Sequence, residues 1–467
     1  MRAASGLLVV GLVLVTALMV VARAEPDYYA IAATTPPPRV AEDAPEPATK
    51  KLIEELGSDD WRMREKASRE LAALGEKALP YLRKALLDGD NPEVRQRLLV
   101  LVRRMERAVL VEPKRITLKA QDQTCKQILD AMAQQTGYRM EFQAFGPQAE
   151  AKYTFDFQNT PFWQAVDALA NTAGLGIYPE YEDQVIRFYP QETVSPYVAY
   201  SGPFRLTATS IYSTRSIQLA GLPRRGEGPR SDGVVNLSVQ IHSEPKNPMI
   251  GVTQPELTEA KDDRGGNLLP PRQPRNAYYP GYYNSGFRSH NTHISIDLKR
   301  SDPQAKLIQS LKGRVGITLL SGAVADIVIP EPLKAQKQTY RSRSVELELQ
   351  SVTEDTNQKG NYTVALKLTR RSPEGVNAGE DWNWGNSIWQ KLELIDAQGQ
   401  RYYCHGPTNN TNNGTGTVQL TVVFGPEDRR SVRGQKKTLG PPAKLILQQW
   451  LTVTEEVPFE FRDIPLP

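Results

Sequence analysis

Two histidines, His290 and His293, lie three residues apart and could bring two imidazole rings to one metal ion. Their segment enters a predicted strand, no cysteine lies beside it, and a transition-metal site normally needs three or four ligands. We therefore expect a structural or surface role for both rings. The sequence predicts neither a metal site nor a bound cofactor.

The sequence shows little sign of catalytic chemistry. Asp262 and Asp263 are neighbours in a predicted turn, whereas a glycosidase needs two carboxyl groups ~5–9.5 Å apart across the scissile bond. His405 follows Cys404, but a nucleophilic cysteine normally meets its histidine through the fold. The chain has no G-x-S-x-G, H-E-x-x-H, phosphate-binding glycine loop or Rossmann fingerprint. We expect no catalytic residues, and a hydrolase with a site assembled from scattered residues stays an alternative.

Two clusters of aromatic residues are the candidates for binding a partner or a glycan. Tyrosine and tryptophan combine a large rigid contact area with a polar tip, which suits protein interfaces and sugar rings. The same side chains could instead fold over the ends of β-domains as small satellite cores. The candidate contact residues are Tyr278, Tyr279, Tyr282, Tyr283, Trp382, Trp384 and Trp389.

The chain contains a duplication before these clusters. Residues 129–137 and 166–174 have closely similar sequences and lie 37 residues apart. Each copy predicts a helix that ends at a glycine, Gly137 or Gly174, and is flanked by strand-like runs. Thr160 and Pro161 are predicted to be the N-cap and the first residue of the second helix. Cys125 falls on the position of Phe162, which favours a buried free thiol over a disulfide bond.

The duplicated stretch resembles a known family. The segments "ILDAMAQQTGYRMEF" and "YTFDFQNTPFWQAVDALANTAGLGIY", followed by "VIRFY", resemble the short N-terminal domain of secretins and TonB-dependent receptors, over residues 113–190. In that family the domain is a periplasmic signalling or docking module with two helices packed on small sheets. The resemblance implies a docking role here, with an exposed edge strand that accepts a strand of the partner.

Residues 49–110 have apolar residues at helical spacing. Residues 58–60 and 90–92 stand where helix N-caps belong. The pairs Met63-Arg64 and Val94-Arg95 lie 31 residues apart, and this pattern resembles a HEAT-like repeat. Because so few units are present, we expect this helical segment to pack on the next domain.

Residues 195–467 alternate apolar and polar residues in short runs, which predicts antiparallel β-structure. The two halves carry similar features in the same order. Residues 237–241 match 364–368, the turn 262–265 matches 396–399, and 303–308 match 441–446. We therefore predict tandem β-sandwich domains of immunoglobulin-like build, at 195–325 and 326–467.

The N-terminus predicts export. Residues 1–24 have the basic start, apolar core and Ala22-Arg-Ala24 end of a signal peptide, and residues 25–48 form a proline-rich linker. Membrane contact is expected only through an uncleaved signal. The 57 Lys and Arg against 53 Asp and Glu leave a net charge of +4, which argues against a nucleic-acid partner.

The sequence therefore predicts a multidomain α+β protein: a HEAT-like helical segment, a βαβ-βαβ secretin-type module, and then all-β tandem sandwiches. The layout resembles uncharacterised exported proteins of planctomycete-type bacteria, which end in a similar "PFEF-x-D-x-PLP" tail. The favoured function is an exported, non-enzymatic interaction or scaffold protein of the periplasm or cell envelope. It is expected to dock an unidentified envelope protein through the secretin-type module and the helical repeat. The first alternative is a glycan-binding protein that uses its aromatic loops.

Overall fold

The computed structural model has N-terminal helices, a βαβ region and then mostly antiparallel β-sheets, which confirms the predicted multidomain α+β class. The predicted signal peptide and most of the predicted linker lie outside the described part of the chain. Among the described residues, no helix combines the length and the apolar character needed to cross a bilayer. The structure describes residues 46–88, 91–143, 147–179, 185–191, 195–217, 231–270, 282–283, 287–300, 302–335, 337–342, 344–371, 384–412, 416–427 and 438–467.

The N-terminal helices enclose their own apolar core, which includes Leu71, Leu82 and Leu98. Both predicted N-caps are confirmed: the Asp60 carboxylate accepts the N–H of Arg62 at 2.9 Å, and the Asn91 amide oxygen accepts two N–H groups of its helix. The helices are α1 (Glu46–Glu55), α2 (Trp61–Leu74), α3 (Leu79–Asp88) and α4 (Pro92–Val111), with a 3-10 turn at Gly75–Ala78.

The next region repeats strand, helix and strand at the predicted spacing of 37 residues. Gly137 and Gly174 end the two helices with φ of 75° and 64°, the left-handed conformation that glycine adopts without strain. The two copies share an antiparallel ribbon of β1 and β3, while β2 pairs in parallel with β5. The elements are β1 (Arg115–Thr124), α5 (Cys125–Thr136), β2 (Arg139–Phe142), α6 (Pro147–Glu150), β3 (Lys152–Pro161), α7 (Phe162–Ala173), β4 (Leu175–Pro179) and β5 (Val185–Pro190).

The start of α7 differs from the prediction. Thr124 caps α5 through a capping box with Gln127, but α7 begins at Phe162 with Pro161 as its N-cap. The predicted cap at Thr160 is wrong by one residue because β3 continues to Pro161, which pairs with Arg115. The N–H of Phe162 donates to the carbonyl of Lys114 at 2.8 Å, which satisfies one of the four N–H groups that a helix start leaves without an intrahelical partner.

The first half of the β-region packs two sheets around one core. One sheet has the order β12-β8-β7-β6, and its inward residues alternate with outward polar residues. Leu206 of β7 and Ile241 of β8 are among its buried residues. The strands are β6 (Val198–Ser201), β7 (Phe204–Ile217), β8 (Ser231–Ser243), β9 (Met249–Thr253), β10 (Glu256–Asp262), β11 (Tyr282–Tyr283), β12 (Asn291–Lys299) and β13 (Leu307–Pro330).

The second half repeats this arrangement with a sheet of order β14-β15-β16-β19-β18. Its core includes Leu347, Leu366 and Leu420, and a 3-10 turn at Ile388–Lys391 packs against it. The strands are β14 (Gln338–Arg341), β15 (Val345–Glu354), β16 (Tyr362–Arg370), β17 (Leu392–Asp396), β18 (Tyr403–Asn412), β19 (Thr417–Gly425) and β20 (Pro442–Pro465).

The two halves match in detail. Leu237 and its neighbours in β8 take the place that Val364 and its neighbours take in β16, as the sequence pattern predicts. The strand before each has a bulge at the same point, after Ala208 in β7 and after Leu349 in β15. In both turns an aspartate carboxylate, of Asp262 or Asp396, accepts the N–H groups two and four residues later.

The long strands β13 and β20 connect the halves. They pair from Leu307↔Pro465 to Pro330↔Lys444, so each contributes to both cores. Phe459 near the end of β20 packs in the first core, and Ile329 at the end of β13 packs in the second. The predicted domain boundary at 325/326 falls inside β13. The chain therefore passes from one core to the other within a strand.

Candidate functional site

The repeated module packs against the outward face of the sheet that contains β7 and β8. In these strands Arg205 lies opposite His242 and Thr207 lies opposite Gln240. Because side chains alternate between the two faces of a strand, these polar residues share the face opposite to the core residue Leu206. The sheet thus presents buried polar groups to the module.

A buried ion pair fixes the module to this face. The Arg205 guanidinium donates to both carboxylate oxygens of Asp167 in α7, at 3.0 and 2.7 Å, and both side chains are 6% exposed. The Tyr200 hydroxyl donates to the same carboxylate at 2.5 Å. Burial and the Asp167 charge raise the pKa of Tyr200, which stays protonated. Asp167 therefore helps to hold α7 at the junction, the contact surface between the module and the sheet of β7 and β8.

The equivalent residue in the first copy, Asp130, has a different environment. It is exposed on α5 and forms an ion pair with Lys126 one turn earlier, at 2.7 Å. A pair of this kind contributes little to stability. The two copies share a sequence pattern, but only the second copy uses its aspartate to hold the β-region.

A second group of contacts surrounds Glu244 at the end of β8. Its carboxylate accepts the hydroxyl of Tyr138 at 2.6 Å and the N–H of Lys114 at 3.1 Å. Burial raises the pKa of Glu244, and these hydrogen bonds oppose that shift. The indole of Trp163 also donates to the carbonyl of Pro203 at 3.0 Å. Together with the Asp167 pair, these contacts dock the module on the β-region.

A cavity of about 500 Å³ lies beside this junction. The module contributes Leu175, Gly176 and Tyr189 to its wall, and the end of β20 contributes Ile464. Arg205, Thr207 and His242 of the sheet also line it. Its size is within the range of pockets that hold small molecules.

The ribbon of β1 and β3 is a second candidate site, because each of its strands has one outer edge without a strand neighbour in the described part of the chain. The β1 edge is occupied by a side chain: Gln135 of α5 accepts the N–H of Thr117 at 3.0 Å and donates to its carbonyl at 2.9 Å. The equivalent of Gln135 in the second copy is Thr172, whose hydroxyl donates to Ala168 within its own helix. The β3 edge at Thr154, the equivalent of Thr117, therefore lacks this brace.

The structure separates the aromatic candidates. Trp389 is 1% exposed and packs in the second β core, where Phe287 lies 6.4 Å from its ring, and Trp384 is half-buried against the same core. Both residues thus contribute to packing, the alternative that the sequence left open. Tyr282 and Tyr283 form β11, which pairs with β9. Tyr278, Tyr279 and Trp382 lie outside the described residues.

His290 and both cysteines occupy buried positions, whereas His293 is exposed and His405 is half-buried. The His290 ring donates through Nε2 to the carbonyl of Pro245 at 2.9 Å. Both cysteines are free and buried, as expected for Cys125, and burial raises the pKa of Cys125 to about 11. A thiol with that pKa is inert at neutral pH. No group of three or more His, Cys, Asp or Glu side chains within the described ranges could hold a metal ion.

Sequence reasoning did not identify the junction residues. Arg205 and Thr207 alternate with Leu206 and Ala208, and this alternation marks the outward face of β7. A polar residue on an outward face normally meets water, and the sequence carries no sign that Asp167 covers this one. The difference between Gln135 and Thr172 was visible in the aligned copies, but its consequence depends on where the strands lie.

Comparison of the chain with protein families, curated proteins and solved structures gives no match.

Proposed function

We propose that the protein is an exported, non-enzymatic docking protein of the cell envelope. An extended segment of an unidentified envelope protein pairs with the outer edge of β3 and adds a third strand to the ribbon of β1 and β3. The observation that carries this proposal is the contrast between Gln135, which occupies the β1 edge, and Thr172, which leaves the β3 edge unbraced.

An unpaired strand edge is a template for another chain because its N–H and C=O groups point outward without strand partners. The amide of Gln135 supplies the same donor and acceptor as a peptide group, so it takes the place of a partner strand. Lys152, Thr154 and Asp156 of β3 are exposed, which leaves the edge accessible. Their charged and polar side chains favour a transient partner over permanent aggregation.

The rigid mounting of the module supports a scaffold role. The buried contacts of Asp167 and Glu244 hold the module on the β-region. The N-terminal helices are attached to the β-region separately, since Arg83 of α3 donates to the carbonyl of Ser321 in β13 at 2.6 Å. Arg107 of α4 also forms a two-point ion pair with Glu455 of β20. A binding edge that is already ordered loses less conformational entropy on association.

We also propose the finer domain assignments. The two glycine-terminated helices on small sheets support a secretin-type and TonB-type short N-terminal domain at 113–190. The repeated caps at Asp60 and Asn91 support a HEAT-like segment at 49–110. The paired sheets around each β core support an immunoglobulin-like build. No comparable observation among the described residues favours the hydrolase or a glycan site in the aromatic loops.

The test is to close the β3 edge with the side chain that closes the β1 edge. We expect Thr172→Gln to brace Thr154 as Gln135 braces Thr117, and so to reduce capture of the envelope partner about tenfold or more. Capture from the envelope fraction by the tagged full chain measures this. The matched control is Asn171→Gln, which places a glutamine of the same length at the adjacent exposed residue of the same helix by adding one methylene to the asparagine side chain.

The reverse variant Gln135→Thr opens the β1 edge and should leave capture of the same partner unchanged. Equal capture by wild-type protein and the Thr172→Gln variant would contradict the proposal. The absence of any reproducible partner would contradict it as well.

A further inference from the structure

The strand β12 lies at the edge of its sheet, and its counterpart in the second half of the β-region does not. Val239 of β8 corresponds to Leu366 of β16, and the strand partners of these two residues are Ile294 of β12 and Leu420 of β19. The strand β19 is therefore the counterpart of β12. Its outer side is paired with β18, whereas β12 has no strand neighbour on that side in the described part of the chain.

One hydrogen bond at the end of β12 marks where a strand equivalent to β18 would begin. Lys299 donates its N–H to the carbonyl of Leu268 at 2.8 Å. Lys299 corresponds to Gly425 of β19, which pairs with Tyr403 at the start of β18. However, three of the six residues that follow Leu268 are prolines, and proline has no N–H to donate to a ladder. The sequence after Leu268 is therefore poorly suited to pair along β12.

The backbone groups in the middle of β12 point outward at every second residue. In an antiparallel strand the N–H and C=O of one residue point to the same side, and this side alternates along the strand. The carbonyl of His290 accepts from Ser243 next to β8, while the N–H of Lys299 points away to Leu268. The odd-numbered residues of β12 therefore direct their backbone groups away from β8. The central ones are His293, Ser295 and Asp297.

The strand β12 is also more regular than the other edge strands of the sheets β12-β8-β7-β6 and β14-β15-β16-β19-β18. Its nine residues pair with β8 without a register shift. By contrast, β6 and β14 have four residues each, and the ladder of β18 has two register shifts. Short length and bulges normally keep an edge from pairing with another chain, and β12 has neither.

The sequence of β12 is complementary to itself about Ser295. If two copies pair in antiparallel fashion around this residue, Ser295 lies opposite Ser295 of the second copy, and His293 lies opposite Asp297. The amide of Asn236 donates to the Asp297 carboxylate at 2.7 Å, and the exposed His293 ring can donate an N–H to the same group across the pair. Centring the pair on Asp297 would instead oppose two carboxylates, which is unfavourable.

We propose that two copies of this chain associate through the β12 edge, in an antiparallel pair centred on Ser295 that joins their two sheets into one. A second copy fits this edge because a two-fold axis brings identical strands together with matching donors and acceptors. The proposal is independent of the docking function, because β12 and β3 belong to different sheets.

Sedimentation of the full chain over a concentration series tests the proposal, and we expect a reversible dimer. Ser295→Lys and Ser295→Glu each place like charges opposite each other at the two-fold axis, so each should raise the dissociation constant about tenfold or more. An equimolar mixture of these two variants opposes unlike charges and should dimerise again. The matched control is Ser213→Lys, the same change at an exposed position of β7, which should dimerise like the wild-type protein.

A second measurement does not depend on a variant. Hydrogen exchange of a peptide that covers residues 291–299 should slow as the protein concentration rises, because the outward N–H groups become hydrogen-bonded. The Thr172→Gln variant should dimerise like the wild-type protein, which separates this test from that of the docking edge.

Three results would overturn the proposal. The first is a wild-type protein that stays monomeric at about 100 μM, and slow exchange of residues 291–299 in that monomer would show that its own chain covers the edge. The second is dimerisation that neither charge at position 295 weakens. The third is a mixture of the Ser295→Lys and Ser295→Glu variants that dimerises no better than either variant alone.

Discussion

Asp130 and Asp167 show how one sequence position acquires two roles. Both are the aspartate of a repeated Asp-Ala pair, yet the first is solvated beside Lys126 and the second is buried against Arg205. The difference comes from what packs on each helix and not from the local sequence. A buried charge pair stays stable only while both partners are present.

We predict that Asp167→Asn lowers the free energy of unfolding by about 3–5 kcal/mol, because Arg205 keeps its buried charge without a counter-charge. Asp130→Asn removes the same group from the exposed copy and should cost about 0–1 kcal/mol. Urea unfolding of the two variants and the wild-type protein measures both values. Equal losses would contradict the role given to Asp167.

His242 gives the protein a predictable response to acid. Its pKa is about 3 in the folded protein, below the ordinary 6.5, because burial and the charges of Arg205 and His293 disfavour the imidazolium. The unfolded chain therefore binds a proton at His242 as the pH falls through 6.5, while the folded protein does not until about pH 3. The contribution of neutral His242 to stability is complete above pH 6.5 and is lost progressively below it.

We expect this residue to account for about 2 kcal/mol of the stability lost between pH 7 and pH 5. The His242→Gln variant should lack that part of the loss, since glutamine does not titrate. His290 and His293 also have lowered pKa values, but they are present in both proteins and cancel in the comparison. The measurement is urea unfolding at both pH values. An identical loss of stability in the two proteins would rule out the neutral, buried His242.

At the scale of elements, the sequence correctly predicts the features that depend on neighbouring residues, such as helix ends, caps and the faces of strands. The 37-residue repeat, the glycine ends of α5 and α7 and the caps at Asp60 and Asn91 follow from short-range hydrogen bonding and backbone conformation. Matching residues 237–241 with 364–368 is also correct, because alternation in a half-buried strand records which face meets the core.

Local sequence patterns do not predict features that depend on contacts between residues far apart in the chain. Gly313 lies inside β13, where a Cβ would meet the carbonyl oxygen of Glu256 at 2.7 Å. The close approach of β10 therefore requires this glycine, and that approach is not recorded in the local sequence. The cavity and the Asp167–Arg205 pair join the module to the β-region, and no single stretch of sequence contains both sides of them.

At the scale of the whole molecule, β13 and β20 make the two β cores interdependent. Leu311 of β13 and Leu445 of β20 occupy equivalent places, opposite Ala260 and Leu394 respectively. Each strand continues into the other core. Loss of packing in one core would therefore loosen β13 and β20, and these strands also contribute buried residues to the other core.

We therefore predict that Leu311→Ala and Leu445→Ala, each costing about 2–5 kcal/mol, speed hydrogen exchange in both cores. Peptides that cover residues 235–241 and 364–368 report on the first and the second core. Faster exchange confined to the core that carries the substitution would show that the two cores unfold independently.

The central claim is that a partner strand pairs with the β3 edge. Photo-crosslinking in the intact envelope tests this most directly, with a photo-activatable residue placed either at 154 or at its equivalent, 117. We predict a crosslink to one envelope protein from position 154 and none from position 117, where Gln135 occupies the edge. Crosslinking to the same protein from 117 alone, or from neither position, would contradict the account.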